Sequence, residues 1–412
     1  MKKISLLFFT LLFLCNAAFA QFRTQAQQQI LTNEDSLHAG GVGDKKTILS
    51  GYGSAYYQHN ANTQTSIATL ERAVLFVGHQ FSRKIAFFSE LEIENALVVG
   101  NETKGEIAME QAFLKFNLNP NQYIIAGLFI PRIGILNENH LPVNFNGVER
   151  PMVETWVIPA TWRELGVGFY GRARNMPLNY SVALVNGLNS ADFTHGTGIR
   201  DGRAEGSMAM ANNLAVTAAL QYNVRDFKFQ LSGYMGGTVG LGKRASDSLS
   251  LDGGAMGTPV YLGAADVQYN HKGISVKVLG AYIAYPDAGK VNAAYAQNLA
   301  TGMYGAYAEL GYDLLHFRKK TAQLVAFCRY EIMDLNASMP AAPEGIYDGT
   351  LKQSHLIAGF SYLPLPNVVI KADVRLVHTG EQNPLLNINP PPNQLPYKQN
   401  NSFLNIGIGY SF

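Results

Sequence analysis

The sequence predicts an all-β chain, a transmembrane antiparallel β-barrel of about sixteen strands. Three observations carry that expectation. Segments of about ten residues alternate apolar with small or polar side chains along most of the chain. Beyond residue 20 no run of about eighteen apolar residues could cross a bilayer as a helix. The connections between the alternating segments are by turns short and long, as in barrels with tight periplasmic turns and long extracellular loops.

The alternation is plainest at the C-terminus, where Leu404, Ile406, Ile408, Tyr410 and Phe412 alternate with Asn405, Gly407, Gly409 and Ser411. Upstream, Ile370, Ala372, Val374 and Leu376 face away from Lys371, Asp373 and Arg375; Leu165, Val167 and Phe169 face away from Glu164, Gly166, Gly168, Tyr170 and Arg172. Ile85, Phe87, Leu91 and Ile93 oppose Glu90, Glu92 and Glu94, and Tyr304, Ala306, Ala308 and Leu310 oppose Tyr307 and Glu309. Strands are expected near 47–59, 67–80, 85–98, 106–118, 122–130, 161–174, 178–187, 209–223, 227–240, 259–270, 273–285, 302–314, 321–333, 353–364, 367–379 and 402–412. In hydrocarbon every backbone group must find a partner within the protein, so alternating strands there must close into a barrel.

The N-terminus opens on Lys2 and Lys3, runs through apolar Ile4 to Leu14 and reaches Ala18-Phe19-Ala20 before Gln21. This is the pattern of a secretory signal peptide over residues 1–20 and implies export. Cys15 raises a lipid-attachment alternative, against which stands Leu14, not a small residue. Residues 21–46 read as a periplasmic lead or small plug, and residues 47–412 as the barrel. Past the signal one cysteine remains, Cys328, so no internal disulfide can hold the fold.

Composition agrees, with 40 Gly, 21 Tyr and 22 Phe against only 15% charged residues, as strands facing lipid on one side require. Aromatics near strand ends (Tyr56, Tyr57, Phe81, Tyr123, Tyr222, Tyr234, Tyr261, Tyr285, Phe317, Tyr410) are expected to form interfacial girdles. Nucleic-acid binding would need clustered bases, and the longest run is Arg318-Lys319-Lys320. Gly237 to Lys243 imitates a phosphate-binding loop, but Arg244 stands where Ser or Thr is needed and no helical pattern follows. The histidines make no metal-binding spacing, no nucleophile elbow appears, and neither cofactor, metal nor enzymatic activity is expected. Tyr56-Tyr57-Gln58-His59-Asn60 faintly suggests a lipase site, for which a solvated loop histidine is the plainer account.

Function should sit in the longest connection, 131–160, after the fifth strand. In and beside it Arg132, Glu138, His140, Glu149, Arg150, Glu154, Arg163 and Glu164 are candidates to line a constriction, where charge discriminates between ions at close range. Ion pairs pinning the loop to the wall are the alternative. The inward wall positions are mixed: Lys115, Arg172, Lys277, Arg329, Lys371 and Arg375 against Glu90, Glu92, Glu94, Glu309, Glu331 and Asp373.

The block Gly127-Leu-Phe-Ile-Pro-Arg132-Ile-Gly134, Glu138-Asn-His140, Gly147-Val-Glu-Arg-Pro151 and Trp156-Val-Ile-Pro-Ala-Thr-Trp-Arg-Glu164 resembles porins of Bacteroidota in the phosphate-selective porin O/P group. The resemblance covers roughly residues 125–172. It implies a Gram-negative outer-membrane channel of sixteen strands, often a homotrimer, whose third outer loop folds into the lumen. The final Tyr410 and Phe412 resemble the assembly signal that such barrels present to the outer-membrane assembly machinery. The expected partners are therefore membrane lipid, that machinery, and small hydrophilic solutes or ions, with anions such as phosphate as one possibility. A phosphate channel of the group should carry a basic ladder, and the mixed wall departs from it. Two other readings stay open: a barrel that scaffolds an adhesin or a lipid-acting enzyme through its outer loops, and a soluble exported β-protein.

Overall fold

A computed structural model describes residues 47–96, 105–209, 211–318, 321–386 and 398–412. Sixteen strands follow one another: β1 Thr47–Asn60, β2 Thr65–Gln80, β3 Ile85–Glu94, β4 Glu106–Asn119, β5 Gln122–Phe129, β6 Glu164–Arg172, β7 Leu178–Asn186 and β8 Leu214–Val224. Then come β9 Phe227–Gly236, β10 Val260–His271, β11 Ile274–Ala284, β12 Gly302–Asp313, β13 Gln323–Ser338, β14 Lys352–Leu365, β15 Val368–Thr379 and β16 Asn400–Ser411. Each pairs antiparallel with its sequence neighbours, and β1 closes on β16, Tyr52 lying opposite Ser411 on one side and Val74 on the other. A closed sheet of this kind leaves no unpaired edge.

The two-residue period decides which face each side chain takes. Along β15, Val369, Lys371, Asp373, Arg375 and Val377 are buried inside, while Ile370, Val374 and Leu376 are exposed outside. β16 repeats this with Leu404, Ile406, Ile408, Tyr410 and Phe412 outside. The barrel is thus apolar outward and largely polar inward, and no helix of the described residues is long and apolar enough to cross a membrane. That says nothing of the strands.

Several expectations need correction. β3 ends at Glu94 rather than 98, β6 begins at Glu164, β8 begins at Leu214, β9 stops at Gly236, and β13 runs on to Ser338. A helix over Lys243–Ser248 follows the glycine-rich stretch after all, but it lies in a connection between antiparallel strands, with Gly242 as its cap. Of the expected girdle, Tyr57, Phe81, Tyr222, Tyr261, Phe317 and Tyr410 are exposed. Tyr123, Tyr234 and Tyr285 are instead buried inside, and Tyr56 lines a small internal cavity with Glu71, Pro142 and Lys371. The signal peptide and the 21–46 lead lie outside the described residues.

Two bulges bear on the interior. β2 carries an extra residue, Glu71, where the register with β1 jumps from Ser54–Arg72 to Ala55–Leu70. β4 carries an extra Glu110, where Glu90 pairs with Gln111 but Leu91 with Met109. A bulge puts two consecutive residues against one and re-aims a side chain.

Candidate functional site

The connection from β5 to β6 folds into the barrel, and none of residues 131–164 is exposed. An apolar stripe drives this. Ile133, Ile135, Val153, Val157, Ile158 and Trp162 are fully buried in one cluster with wall residues such as Phe129, Tyr234 and Val260. Burying each such side chain contributes roughly 1.5–3 kcal/mol, so the segment is packed like a protein core.

At its centre, Glu154 organises the fold of the loop. Its Oε1 accepts the N–H of Ile135 at 2.6 Å and of Leu136 at 2.8 Å, and its Oε2 accepts the Tyr307 hydroxyl of β12 at 2.7 Å. Burial pushes this carboxyl above its ordinary pKa, against the three donors. Gly134 stands where a Cβ would lie 2.8 Å from Glu154 Oε1, at φ +70°, so both space and backbone require glycine.

From this hub the loop reaches opposite walls. Glu138 pairs with Arg132 at 3.1 Å and Lys228 of β9 at 2.8 Å, and accepts from Gln221 of β8. His140 sits between Glu90 of β3 and Glu110 of β4, edge-on to Tyr52 of β1. Lys277 of β11 donates to the Asn144 carbonyl, and Asn146 donates to Glu309 of β12. The Val148 and Val153 N–H groups donate to Asp373 of β15 and Glu331 of β13. Glu149 pairs with Arg375 at 3.2 Å and meets Asn405 of β16. Among the described residues eleven of the sixteen strands therefore hold the loop through polar or ring contacts: β1, β3, β4, β6, β8, β9, β11, β12, β13, β15 and β16.

The wall charges are mostly engaged rather than lined up along an open path. Arg329 bonds Glu309 at 3.1 Å and Glu331 at 2.8 Å and donates to the Asn146 carbonyl. Lys371 lies 3.7 Å from the Phe145 ring centroid, and Lys115 4.3 Å from that of Tyr123. Arg72 gathers Glu71, Glu92 and Glu94. Buried charges persist only where they are paired and hydrogen-bonded, which this arrangement satisfies for most of them. Arg172 is half-buried at the end of β6.

The eight candidate residues do not form one ring. Arg132 and Glu138 form one group, His140 and Arg150 lie near the acids of β2 to β4, and Glu149 and Glu154 face β12 to β16. Burial and neighbouring Arg72 push Arg150 below its ordinary pKa, opposed by Glu71, Tyr52 and Glu110. Arg163 turns to Glu205 of the next outer connection at 2.6 Å and to Glu106, and Glu164 accepts from Trp162 Nε1 and Asn186. These last two clamp the end of the loop.

No family model matches the chain. An uncharacterized protein of Aquifex aeolicus (strain VF5) is 31% identical over 341 residues, spanning 80% of this chain and 75% of that one. The chain belongs to the family of that protein. Solved structures add the fold. An OmpF of Salmonella typhi, in complex with daunomycin, aligns over 89% of this chain and 97% of its own with a TM-score of 0.55 at 12% identity. An anion-selective porin from Comamonas acidovorans gives 0.53 at 10% identity, over 89% and 99% of the two chains. A loop L8 deletion mutant of OmpT, an outer membrane protein of Vibrio cholerae, gives 0.52 at 10% over the same shares.

In this member of the family, sequence reasoning missed Glu71, Arg72, Glu110 and Tyr52. The two glutamates sit at the bulges, where the alternation slips phase and no sequence signal marks the slip. Tyr52 could have been found by its parity with Ser50 and Ser54, all three buried.

Proposed function

We propose that the chain is an exported outer-membrane channel for passive diffusion of small hydrophilic solutes or ions, with the 131–160 connection as its constriction. One observation carries the reading: a fully internal loop of both charge signs, held between opposite walls of a closed sixteen-strand barrel. The apolar outer face suits lipid, and the segment 1–20 suits export to the outer membrane. The resemblance over 125–172 to the phosphate-selective porin O/P group supports the same reading and suggests a homotrimer. For anions it gives less support, since Arg329, Arg375 and Lys277 are each matched by a carboxylate. Tyr410 and Phe412, exposed at the end of β16, would serve as the assembly signal.

A second reading has its own observation. A loop tied to eleven strands can seal a lumen as well as narrow it, and the barrel would then act as a scaffold for an adhesin or a lipid-acting enzyme through its outer loops. Single-channel recording of the folded protein in a planar bilayer under a salt gradient separates the two. Discrete conductance steps are expected, with the reversal potential giving the preferred sign. Silence from a heat-modifiable, hence folded, barrel would favour the scaffold.

A further inference from the structure

We propose that Glu90, Glu110 and His140 form a buried site for a divalent transition-metal cation that clips the internal loop to the barrel wall. One ligand atom from each lies within 4.8 Å of the others, and all three residues are buried. His140 Nε2 stands 3.4 Å from Glu90 Oε1 and 3.9 Å from Glu110 Oε2. An ion held at about 2.0–2.2 Å by each atom in a tetrahedral shell separates its ligands by about 3.4 Å, so small side-chain shifts close the site.

Charge argues the same way. Arg72 is taken up by Glu71, Glu92 and Glu94. Arg150 is near but makes no ion pair or hydrogen bond to Glu90 or Glu110 among the described residues, and its Nη2 is itself buried without a partner. Glu90 meets Gln111, His140 and Tyr52, and Glu110 meets the Tyr52 hydroxyl at 3.0 Å, His140 and the neighbouring acid Glu92, so no cation of the wall is given over to either. Two buried carboxylates thus face one imidazole. Acid outweighs base around this point, and a divalent ion supplies compensation where a buried unpaired charge is costly.

A second observation points to a ligand. Glu110 is wholly buried, and its Oε1 has no hydrogen-bond partner. Glu110 owes its inward aim to the β4 bulge, so the wall departs from regular pairing at the residue that completes the set. Tyr52 holds the other oxygen in place, as an outer-shell residue orients a ligand. One imidazole with two carboxylates suits zinc, manganese or iron(II) better than the all-oxygen shells that calcium and magnesium prefer. The proposal does not depend on whether the lumen conducts.

The test uses full-length barrel purified without a histidine tag, stripped with chelator and dialysed against zinc. Elemental analysis should return one zinc per chain, with affinity at least tenfold weaker in Glu110→Gln and in His140→Ala. Zinc uptake well below one equivalent in the wild type, or equal uptake in folded variants, overturns the site. Should the variants fail to fold, X-ray absorption at the zinc edge of the wild type decides. Imidazole scattering in a shell of nitrogen and oxygen supports the site, and an oxygen-only shell or one containing sulfur refutes it.

Discussion

Tyr307 of β12 donates its hydroxyl to Glu154 of the internal loop at 2.7 Å, and the same carboxylate holds two N–H groups of the preceding loop segment. One side chain therefore fixes the loop to itself and to the wall. Glu154→Ala should strand three buried donors and lower stability by about 1–3 kcal/mol for each one left unsatisfied, seen as an earlier heat-modification midpoint. Glu154→Gln should cost far less. Its carbonyl can still take both N–H groups, and its amide can donate to a Tyr307 hydroxyl turned the other way. Equal losses in the two variants would show that charge, not hydrogen bonding, is what matters.

Arg329 stands between Glu309 and Glu331 with almost no exposure. Arg329→Met should leave Glu331 without its ion-pair partner and Glu309 with Lys277 alone, and destabilise the barrel by roughly 3–5 kcal/mol. Adding Glu331→Gln should recover part of it in urea unfolding followed by tryptophan fluorescence. No recovery would mean that Glu331 is held by other means, such as the Val153 N–H.

Deleting about ten residues within 135–150, such as 140–149, removes the anchors at His140 and Glu149 while leaving every strand intact. Conductance should rise without loss of assembly. An unchanged conductance with correct folding would take this segment out of the constriction.

Asp348, in the connection between β13 and β14, accepts the Thr350 N–H at 3.0 Å and faces His195 of another outer connection at 3.6 Å. Burial pushes its carboxyl up, but His195 and Thr350 outweigh that and hold it below the ordinary aspartate value. Its contribution to docking these two connections is thus present above the unfolded pKa of about 3.9 and is lost as pH falls through the lower folded one. Proteolysis at 339–351 by an acid-active protease should increase below about pH 4 in the wild type. In Asp348→Asn it should be high and less dependent on pH.

Cys328 is exposed on the outer face of β13, opposite Leu310. In vesicles, a chain lacking residues 1–20 should react at this thiol with a lipid-soluble maleimide and resist a charged one. Ready labelling by the charged reagent would remove this strand face from the bilayer.

Much of the architecture was legible because a two-residue period survives wherever one face meets lipid and the other the interior; the alternation in β15 and β16 reads directly as outside and inside. Strand ends at Glu94 and Gly236 were less legible, since apolar residues beyond them continue the pattern into connections. The inward acids of β3 followed from parity, yet Glu71 and Glu110 did not, because each bulge shifts the phase by one. The internal loop was visible by length and mixed chemistry. Its partners were not, since contacts such as Glu154 with Tyr307 join residues far apart in sequence. Tyr123 and Tyr234 were misread as girdle residues because an aromatic near a strand end looks the same whether it faces lipid or packs inside.

The seam where β1 meets β16 has a bearing on how the molecule is made. The internal loop touches both sides of that seam, Tyr52 through His140 on one and Asn405 through Glu149 on the other, with Pro142 against Gly409 between them. Those contacts cannot coexist until the first and last strands have joined. The full set of anchors is therefore complete only when two strands drawn from opposite ends of the sequence have zipped together, and that zipping bears on an element drawn from its middle. The last strand pair and the last anchors of the lumen loop are in that sense completed together.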